Sequence, residues 1–218
     1  MKTQLIAVLA GGLLYAPLAS AAENKSTATP DRISVFKAPL VCPAAPQIGC
    51  GSASKPILVD LERQPGVLEA WLNRAGTRVA VVWKPDADAA TRQKVVAELK
   101  EDHLIELDGT PREETVTDFL AGKQWYHGAD VDRLSDEEAG IIAARLVRRL
   151  QAKTPLSQDK AEQLERTLAD AFRKRFAGKN DDEGISVRQL AGDFLDEKQI
   201  ATLKEAIEGG VRPLPNEQ

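Results

Sequence analysis

Sulfur and imidazole are scarce in this chain, which has two cysteines, two histidines and one methionine among 218 residues. The methionine is Met1, so the sequence lacks the Met-rich tracts expected of an exported copper store. It also lacks a nucleophile elbow, a phosphate-binding glycine loop, an H-E-x-x-H motif and the C-x-x-C motif of thiol oxidoreductases. We therefore predict a protein that is not an enzyme and has no catalytic residues.

Long apolar runs are also rare, and the one that stands out is near the amino terminus. The run Leu5–Leu18 follows the positive charge of Lys2 and precedes an A-x-A pattern at Ala19 and Ala21. Residues 1–22 are therefore typical of a signal peptide. A retained membrane anchor is the less favoured alternative, because a spanning helix needs roughly 20 apolar residues. The sequence predicts a periplasmic or secreted, soluble protein with no membrane span once the signal is removed.

Concentrated positive charge is missing as well. The formal net charge is −4, and it becomes −5 when residues 1–22, which contain one lysine and no other charged residue, are removed. Nucleic acids and anionic lipids bind concentrated basic surfaces, so this acidic excess argues against both as partners. We interpret two basic clusters, Arg145 with Arg148 and Arg149, and residues 173–175, as solvated helix faces balanced by nearby acidic residues.

Strand-like and helix-like segments alternate over residues 33–110. The pattern predicts strands at 33–41, 67–73, 78–83 and 104–107, and helices at 55–64 and 86–102. A tight turn containing Gly76 joins the two middle strands into a hairpin. The order β-α-β-β-α-β is that of a ferredoxin-like sandwich, which a flexible leader at 23–32 precedes.

The following segments read as helical. We expect a short helix at 115–122, then an irregular segment around Trp125 that packs two domains together, then an antiparallel pair of long helices. Ser135-x-x-Glu138 is interpreted as the capping box that opens the first long helix, and Ser157 as the cap of the second.

Two shorter helices complete the predicted architecture. Their caps are Ser186 and Asp196, each followed three residues later by glutamine. The sequence therefore predicts an α+β protein in which a ferredoxin-like domain at 33–110 is followed by an all-α helical domain at 111–210. Residues 211–218 are expected to be a frayed tail.

The run from Cys50 to Val67, CGSASKPILVDLERQPGV, resembles the heavy-metal-associated domain of mercury-binding periplasmic proteins and copper chaperones. Those proteins carry C-x-x-C at the end of the first strand and Pro-Gly-Val before the second. Counting back from Pro-Gly-Val places Cys50 on the first family cysteine and Ala53 on the second. The resemblance covers residues 33–108 and implies a ferredoxin-like fold that binds a soft metal. Here Cys42, on a Pro-rich insertion, gives C-x7-C in place of C-x-x-C.

Cys42 and Cys50 are the candidate metal ligands. Two thiolates on a flexible loop can wrap a soft, low-coordinate cation such as Cu(I) or Hg(II). The helix that follows Cys50 also favours its thiolate. A structural disulfide between the two is the alternative, because exported proteins with an even number of cysteines usually pair them. Inert or redox cysteines are a third possibility.

These residues leave two functions open. The first is an exported protein that binds or relays a copper or mercury ion through Cys42 and Cys50, with the helical domain contacting another envelope protein. The second is an interaction or scaffold protein of the cell envelope, with a structural Cys42–Cys50 disulfide and no metal role. His103 and His127 are interpreted as ordinary surface or packing histidines, since neither has a further ligand at suitable spacing.

Overall fold

The computed structural model describes residues 28–217 except 102, 123, 129 and 179–185. The predicted signal peptide, the first part of the predicted leader and the segment 179–184, whose sequence KNDDEG predicts a loop, therefore lie outside the described residues. The last three leader residues form a 3-10 helix, Pro30–Arg32. Within the described part of the chain, no helix has both the length and the apolar character needed to cross a membrane.

Strands and helices alternate first, and helices follow. The strands are β1 (Ile33–Lys37), β2 (Val67–Asn73), β3 (Arg78–Trp83), β4 (Ile105–Glu106) and β5 (Trp125–His127). The helices are α1 (Gly51–Arg63), α2 (Ala89–Glu101), α3 (Gly109–Leu120), α4 (Asp132–Gln151), α5 (Gln158–Phe176), α6 (Val187–Ala191) and α7 (Glu197–Glu208). The predicted α+β class is confirmed.

The described strands form one antiparallel sheet in the order β4-β1-β3-β2-β5. β2 and β3 have the predicted bounds, and their turn contains Gly76 at φ +71°, a conformation that glycine adopts without strain. The segment around Trp125, predicted to be irregular, is a strand because its backbone pairs with Trp71–Asn73 at the free edge of β2.

Side chains of the sheet are buried on both of its faces. Successive side chains of a strand point to opposite faces, so each strand contributes to both. On one face, Phe36 and Val81 belong to a large buried cluster with residues of α1, α2 and α4. On the other face, Val35 and Val82 pack with Phe119 of α3 in a smaller cluster. The sheet therefore lies between two helical layers.

The predicted domain boundary between residues 110 and 111 falls inside α3. The larger buried cluster contains Leu72 of β2 together with Leu146 of α4 and Leu203 of α7. α4 also contacts α1 directly. The later helices therefore build the outer layer of a core that starts at the sheet.

α1 begins at Gly51, earlier than the predicted start at residue 55. Cys50 is its N-cap residue, and the Ser54 side chain donates a hydrogen bond to the Cys50 carbonyl at 2.6 Å. Pro56 lies inside the helix, where it removes the one hydrogen bond that its missing N–H would have made to Ser52. The proline is thus accommodated near the start of α1 and does not shorten it.

The C-terminal segment, predicted to be frayed, is held against α4. The Arg149 guanidinium donates hydrogen bonds to the Glu217 carboxylate at 2.7 and 2.9 Å and to the Gly210 carbonyl at 2.6 Å. Residues Pro215–Glu217 form a 3-10 helix at this contact. The prediction missed this because the anchoring partner is about 60 residues away in sequence.

Candidate functional site

Cys42 and Cys50 lie on the two arms of a short hairpin between β1 and α1, which we call the cysteine hairpin (residues 38–50). The Cys42 N–H donates to the Ile48 carbonyl at 2.9 Å, and the Cys50 N–H donates to the Leu40 carbonyl at 2.8 Å. The Ala45 N–H donates to the Cys42 sulfur at 3.2 Å. Backbone hydrogen bonds therefore fix the positions of both cysteines, which are free thiols.

The cysteine hairpin rests on the turn between β2 and β3 through two glycines. A Cβ atom added to Gly49 would stand 2.9 Å from the Cα of Gly76, and one added to Gly76 would stand 2.6 Å from the Cα of Gly49. The Gly49 N–H also donates to the Arg74 carbonyl at 2.6 Å. Only glycine at these two positions permits the close approach of the two backbones.

α4 forms the second wall of the site. It touches the start of α1 at Gly51, where an added Cβ would stand 2.6 Å from the Val131 carbonyl oxygen and 2.8 Å from the Ser135 nitrogen. An ion pair between Lys55 and Asp132, at 2.6 Å, joins the same two helices at the surface. This contact brings the next turn of α4 over the cysteines.

Glu138 is the residue of α4 that faces the two sulfur atoms. The sulfur atoms of Cys42 and Cys50 and a carboxylate oxygen of Glu138 all lie within 4.8 Å of one another. The Cys50 sulfur is 3.9 Å from Glu138 Oε2. Cys42 is fully buried, Glu138 is 6% exposed and Cys50 is half-buried. We call these three residues the thiol–carboxyl cluster.

The predicted capping box at Ser135 and Glu138 is wrong. α4 begins at Asp132, so both residues lie inside the helix, and both are buried. Ser-x-x-Glu places two side chains on one face wherever it occurs in a helix, and this face also carries Ile142. Counting back four and seven residues from Ile142 along the apolar stripe leads to Glu138 and Ser135, a signal that could have located them.

The groups of the thiol–carboxyl cluster hold their protons with different strength. A hydrogen bond from the Cys42 thiol lowers the pKa of Cys50 to about 5 against the opposing effect of burial, and Ser52 contributes in the same direction. The same hydrogen bond, together with burial, raises the pKa of Cys42. Burial raises the pKa of Glu138. At neutral pH Cys50 is therefore the thiolate, and Cys42 is the thiol that donates to it.

Arg145 connects the cysteine hairpin to the C-terminal segment. Its Nη1 donates to the Ala44 carbonyl, between the two cysteines, at 2.7 Å and to the Val211 carbonyl at 2.6 Å. Arg145 is 5% exposed and lies seven residues after Glu138, on the same face of α4. The interpretation of Arg145 as part of a solvated basic face is therefore wrong, although Arg148 is exposed.

The two histidines do not belong to the thiol–carboxyl cluster. His127 Nε2 is 2.9 Å from Glu62 Oε1, and its ring contacts Trp71 edge-on with centroids 4.8 Å apart. His103 follows α2 with a φ of +62°. His127 thus has the packing environment that its interpretation predicts.

Comparisons of the chain with protein-family models, with curated proteins and with solved structures give no match. The thiol–carboxyl cluster and its surroundings are therefore the features of the molecule that indicate a function.

Proposed function

We propose that this protein binds or relays a soft metal ion of the Cu(I) or Hg(II) type through Cys42 and Cys50. The observation that carries the proposal is the convergence of two sulfur atoms and a carboxylate oxygen within 4.8 Å. Thiolate ligands select soft ions over hard ones. Buried ionisable groups are also found where they are paired or coordinate a metal. The ion is the cargo of the protein in this proposal.

The resemblance to the heavy-metal-associated family supports the same function. Over residues 33–106 the elements run β1-α1-β2-β3-α2-β4, and the strands pair in the order β4-β1-β3-β2. We interpret this arrangement as ferredoxin-like, with β5 added at one edge. Cys50 precedes α1, as the first family cysteine precedes the first helix, and Cys42 takes the place of the second.

The pairing of the cysteine hairpin favours a metal ion over a disulfide. Cys42 stands opposite Ile48 and Cys50 opposite Leu40, so the cysteines are diagonal neighbours. Diagonal neighbours in an antiparallel ladder are about 7–8 Å apart, whereas the Cα atoms of a disulfide are usually about 4.4–6.8 Å apart. A bridging ion fits the larger separation without moving the backbone.

The alternative function is that of an interaction or scaffold protein of the cell envelope with a structural Cys42–Cys50 disulfide. The proximity of the two sulfur atoms favours it, because a modest backbone shift would close the bond. The helices α4 to α7 would then provide the surface for a protein partner. Both functions place the protein in the periplasm or outside the cell, where the predicted signal peptide directs it.

Anaerobic competition titrations against a chelator of known affinity, using Cu(I) and Hg(II), test the proposal. The reduced protein is expected to bind the ion at least about 100-fold more tightly than Cys42→Ser/Cys50→Ser protein, because that variant has lost both sulfur ligands. Ser52→Ala is the comparison variant: it keeps both sulfur ligands and removes only a hydroxyl 3.5 Å from the Cys50 sulfur that helps to lower the Cys50 pKa, so its affinity should fall far less than that of the double variant. Equally weak binding by the wild-type and double-variant proteins would contradict the proposal.

Two further measurements complete this test. Cys42 is fully buried, so circular dichroism must show that the double variant folds, and Cys42→Ala/Cys50→Ala serves as a second variant. Mass spectrometry of protein taken from its own compartment separates the two functions. A quantitative disulfide that resists mild reductant supports the scaffold function, and free thiols or bound metal support ion binding.

A further inference from the structure

We propose that Glu138 is a third ligand and that it makes the site selective for divalent cations that take tetrahedral sulfur and oxygen ligands, the class of Zn(II) and Cd(II), over Cu(I). This inference rests on the proposed function, because it requires that Cys42 and Cys50 bind a metal ion. It specifies the charge of the bound ion. It also names a third ligand on α4, a helix outside the region of family resemblance.

The distances fit one ion held by three protein ligands. Zn–S bonds are about 2.3 Å and Zn–O bonds about 2.0–2.2 Å, so a sulfur and an oxygen on one tetrahedral ion are about 3.6 Å apart. The Cys50 sulfur and Glu138 Oε2 are 3.9 Å apart, and all three ligand atoms lie within 4.8 Å of one another. An ion held linearly by two sulfur atoms takes no third ligand. Linear coordination therefore does not explain why the Glu138 carboxylate lies so close to the two sulfur atoms.

The chemistry of the ligands also favours a divalent ion. Carboxylate oxygen is a regular ligand of Zn(II), whereas Cu(I) is selected by soft sulfur ligands. Two thiolates and a carboxylate carry three negative charges, and Arg145, held at the Ala44 carbonyl, supplies one positive charge beside them. A divalent ion neutralises the two negative charges that remain. Cu(I) held linearly by the two sulfur atoms would give Glu138 no ligand role, and an ionised Glu138 would then leave a net negative charge among buried groups, which is costly.

The third ligand is fixed in place by the packing of α4. The contact of Gly51 with the backbone of Val131 and Ser135 leaves no gap between α1 and α4. Arg145 ties the same helix to the cysteine hairpin. Glu138 is therefore positioned before the ion arrives, which reduces the ordering cost of binding.

Three protein ligands leave one further position open on a tetrahedral ion. Cys50 is half-buried, so a receiving protein could supply the fourth ligand from the side of Cys50.

Glu138→Gln tests this inference, with Asp136→Asn as its matched control. Both variants replace a carboxylate with an amide on α4, but Asp136 is exposed. Chelator competition measures the Zn(II), Cd(II) and Cu(I) affinities of the wild-type protein and both variants. We expect Glu138→Gln to weaken Zn(II) and Cd(II) binding by at least about 10-fold. Loss of a residue that only hydrogen-bonds to a metal ligand already lowers metal affinity by about 10- to 100-fold. Cu(I) affinity should change by no more than about threefold, and Asp136→Asn should alter none of the three.

The outcomes separate this inference from the proposed function. Zn(II) and Cd(II) binding that depends on the cysteines but is unaffected by Glu138→Gln would overturn the inference alone. An equal loss of Cu(I) affinity would also overturn it, because Glu138 would then act on the hairpin and not on the ion. Absence of any cysteine-dependent binding overturns both. Glu138→Asp, which keeps the charge, covers the case in which the glutamine variant misfolds: it should retain the divalent preference with reduced affinity.

Discussion

At the scale of single residues, the two cysteines of one short hairpin have opposite properties. Cys42 is fully buried and donates a hydrogen bond, and this contact and its burial raise its pKa. Cys50 is half-buried at the start of α1, and the hydrogen bond from Cys42 lowers its pKa to about 5. In the proposed function, Cys50 therefore meets an incoming ion first, and Cys42 must release its proton before it can bind the same ion.

This difference predicts selective alkylation. In the reduced protein at pH 7, iodoacetamide should modify Cys50 and leave Cys42 unmodified, because the thiolate is the reactive form and Cys42 is buried. The rate should fall as the pH drops through about 5. In Cys42→Ala protein the donor is lost, so the midpoint should move up toward the ordinary value of about 8.5. Peptide mapping by mass spectrometry gives the site and rate. A midpoint that does not respond to Cys42→Ala would contradict the assigned cause.

The sequence predicts some of these residues and misses others for a physical reason. Cys42 and Cys50 are found because cysteine is rare in this chain and the two lie close together. Glu138 and Arg145 are missed because local patterns explain them equally well as a helix cap and a solvated basic face. Both acquire their partners from the cysteine hairpin, about 90 to 100 residues earlier. A local pattern carries no information about a contact at that range.

At the scale of elements, the site depends on how closely α1 approaches α4. The two helices meet where Gly51 faces the backbone of Val131 and Ser135. A side chain at this position would push against backbone atoms, which cannot rotate away as a flexible side chain can. The separation of the two helices, and with it the distance from Cys50 to Glu138, is therefore set by the absence of one methyl group.

Gly51→Ala is predicted to destabilise the protein, with Gly140→Ala as its matched control. The added methyl at Gly51 would meet the Val131 oxygen at 2.6 Å, so we expect a loss of about 1–3 kcal/mol in the free energy of unfolding. Gly140 lies inside α4, and its added Cβ would have no atom within 4 Å apart from its chain neighbours and the backbone of its own helix, so alanine there should stabilise by about 0.5–1 kcal/mol. Urea denaturation of both variants measures the difference. Equal effects from the two substitutions would rule out a tight contact at Gly51.

The prediction of elements succeeded where the pattern was long and failed where it was short. β2 and β3 have the predicted bounds because their β-forming residues run up to a turn that contains glycine. β5 has three residues, too few to show a period, and it is a strand because the edge of β2 is free to pair. The early start of α1 follows from Cys50 acting as its N-cap residue in the folded hairpin.

At the scale of the whole molecule, one helix holds together parts that are distant in sequence. α4 contacts α1, α5 and α7, and through Arg145 and Arg149 it also binds the C-terminal segment. The α+β class is predictable because it depends only on which segments are strands and which are helices. The anchored C-terminus is not predictable, because residues 211–217 have no periodicity and are held by arginines of α4.

Glu217 gives this anchor a pH dependence. Its hydrogen bonds with Arg149 hold the pKa of the carboxyl at about 2. Because this value lies below that of an unfolded chain, about 4.3, the pair stabilises the folded protein above that pH and is lost as the pH falls through about 2. Glu217→Gln should therefore lower the free energy of unfolding by about 1–2 kcal/mol at pH 7, and the difference should shrink steadily below about pH 4.

Urea denaturation at several pH values between 7 and 2 checks this prediction. Glu208→Gln is the control, because Glu208 is exposed and pairs with Lys204 at 3.7 Å on the surface of α7. The control should leave the urea midpoint unchanged. A loss from Glu217→Gln that stays constant down to pH 2 would mean that Glu217 acts through packing and not through its charge.

The separation of 88 residues between Cys50 and Glu138 also has a consequence for the order in which the chain is made. Synthesis runs from the amino terminus, so both thiols leave the ribosome well before the residue that completes their cluster. Until α4 has been made and has docked, the cysteine hairpin can offer an ion or an oxidant two sulfur atoms and no carboxylate. The three-residue cluster is therefore a property of the finished protein, and a growing chain presents only the two cysteines of the cluster.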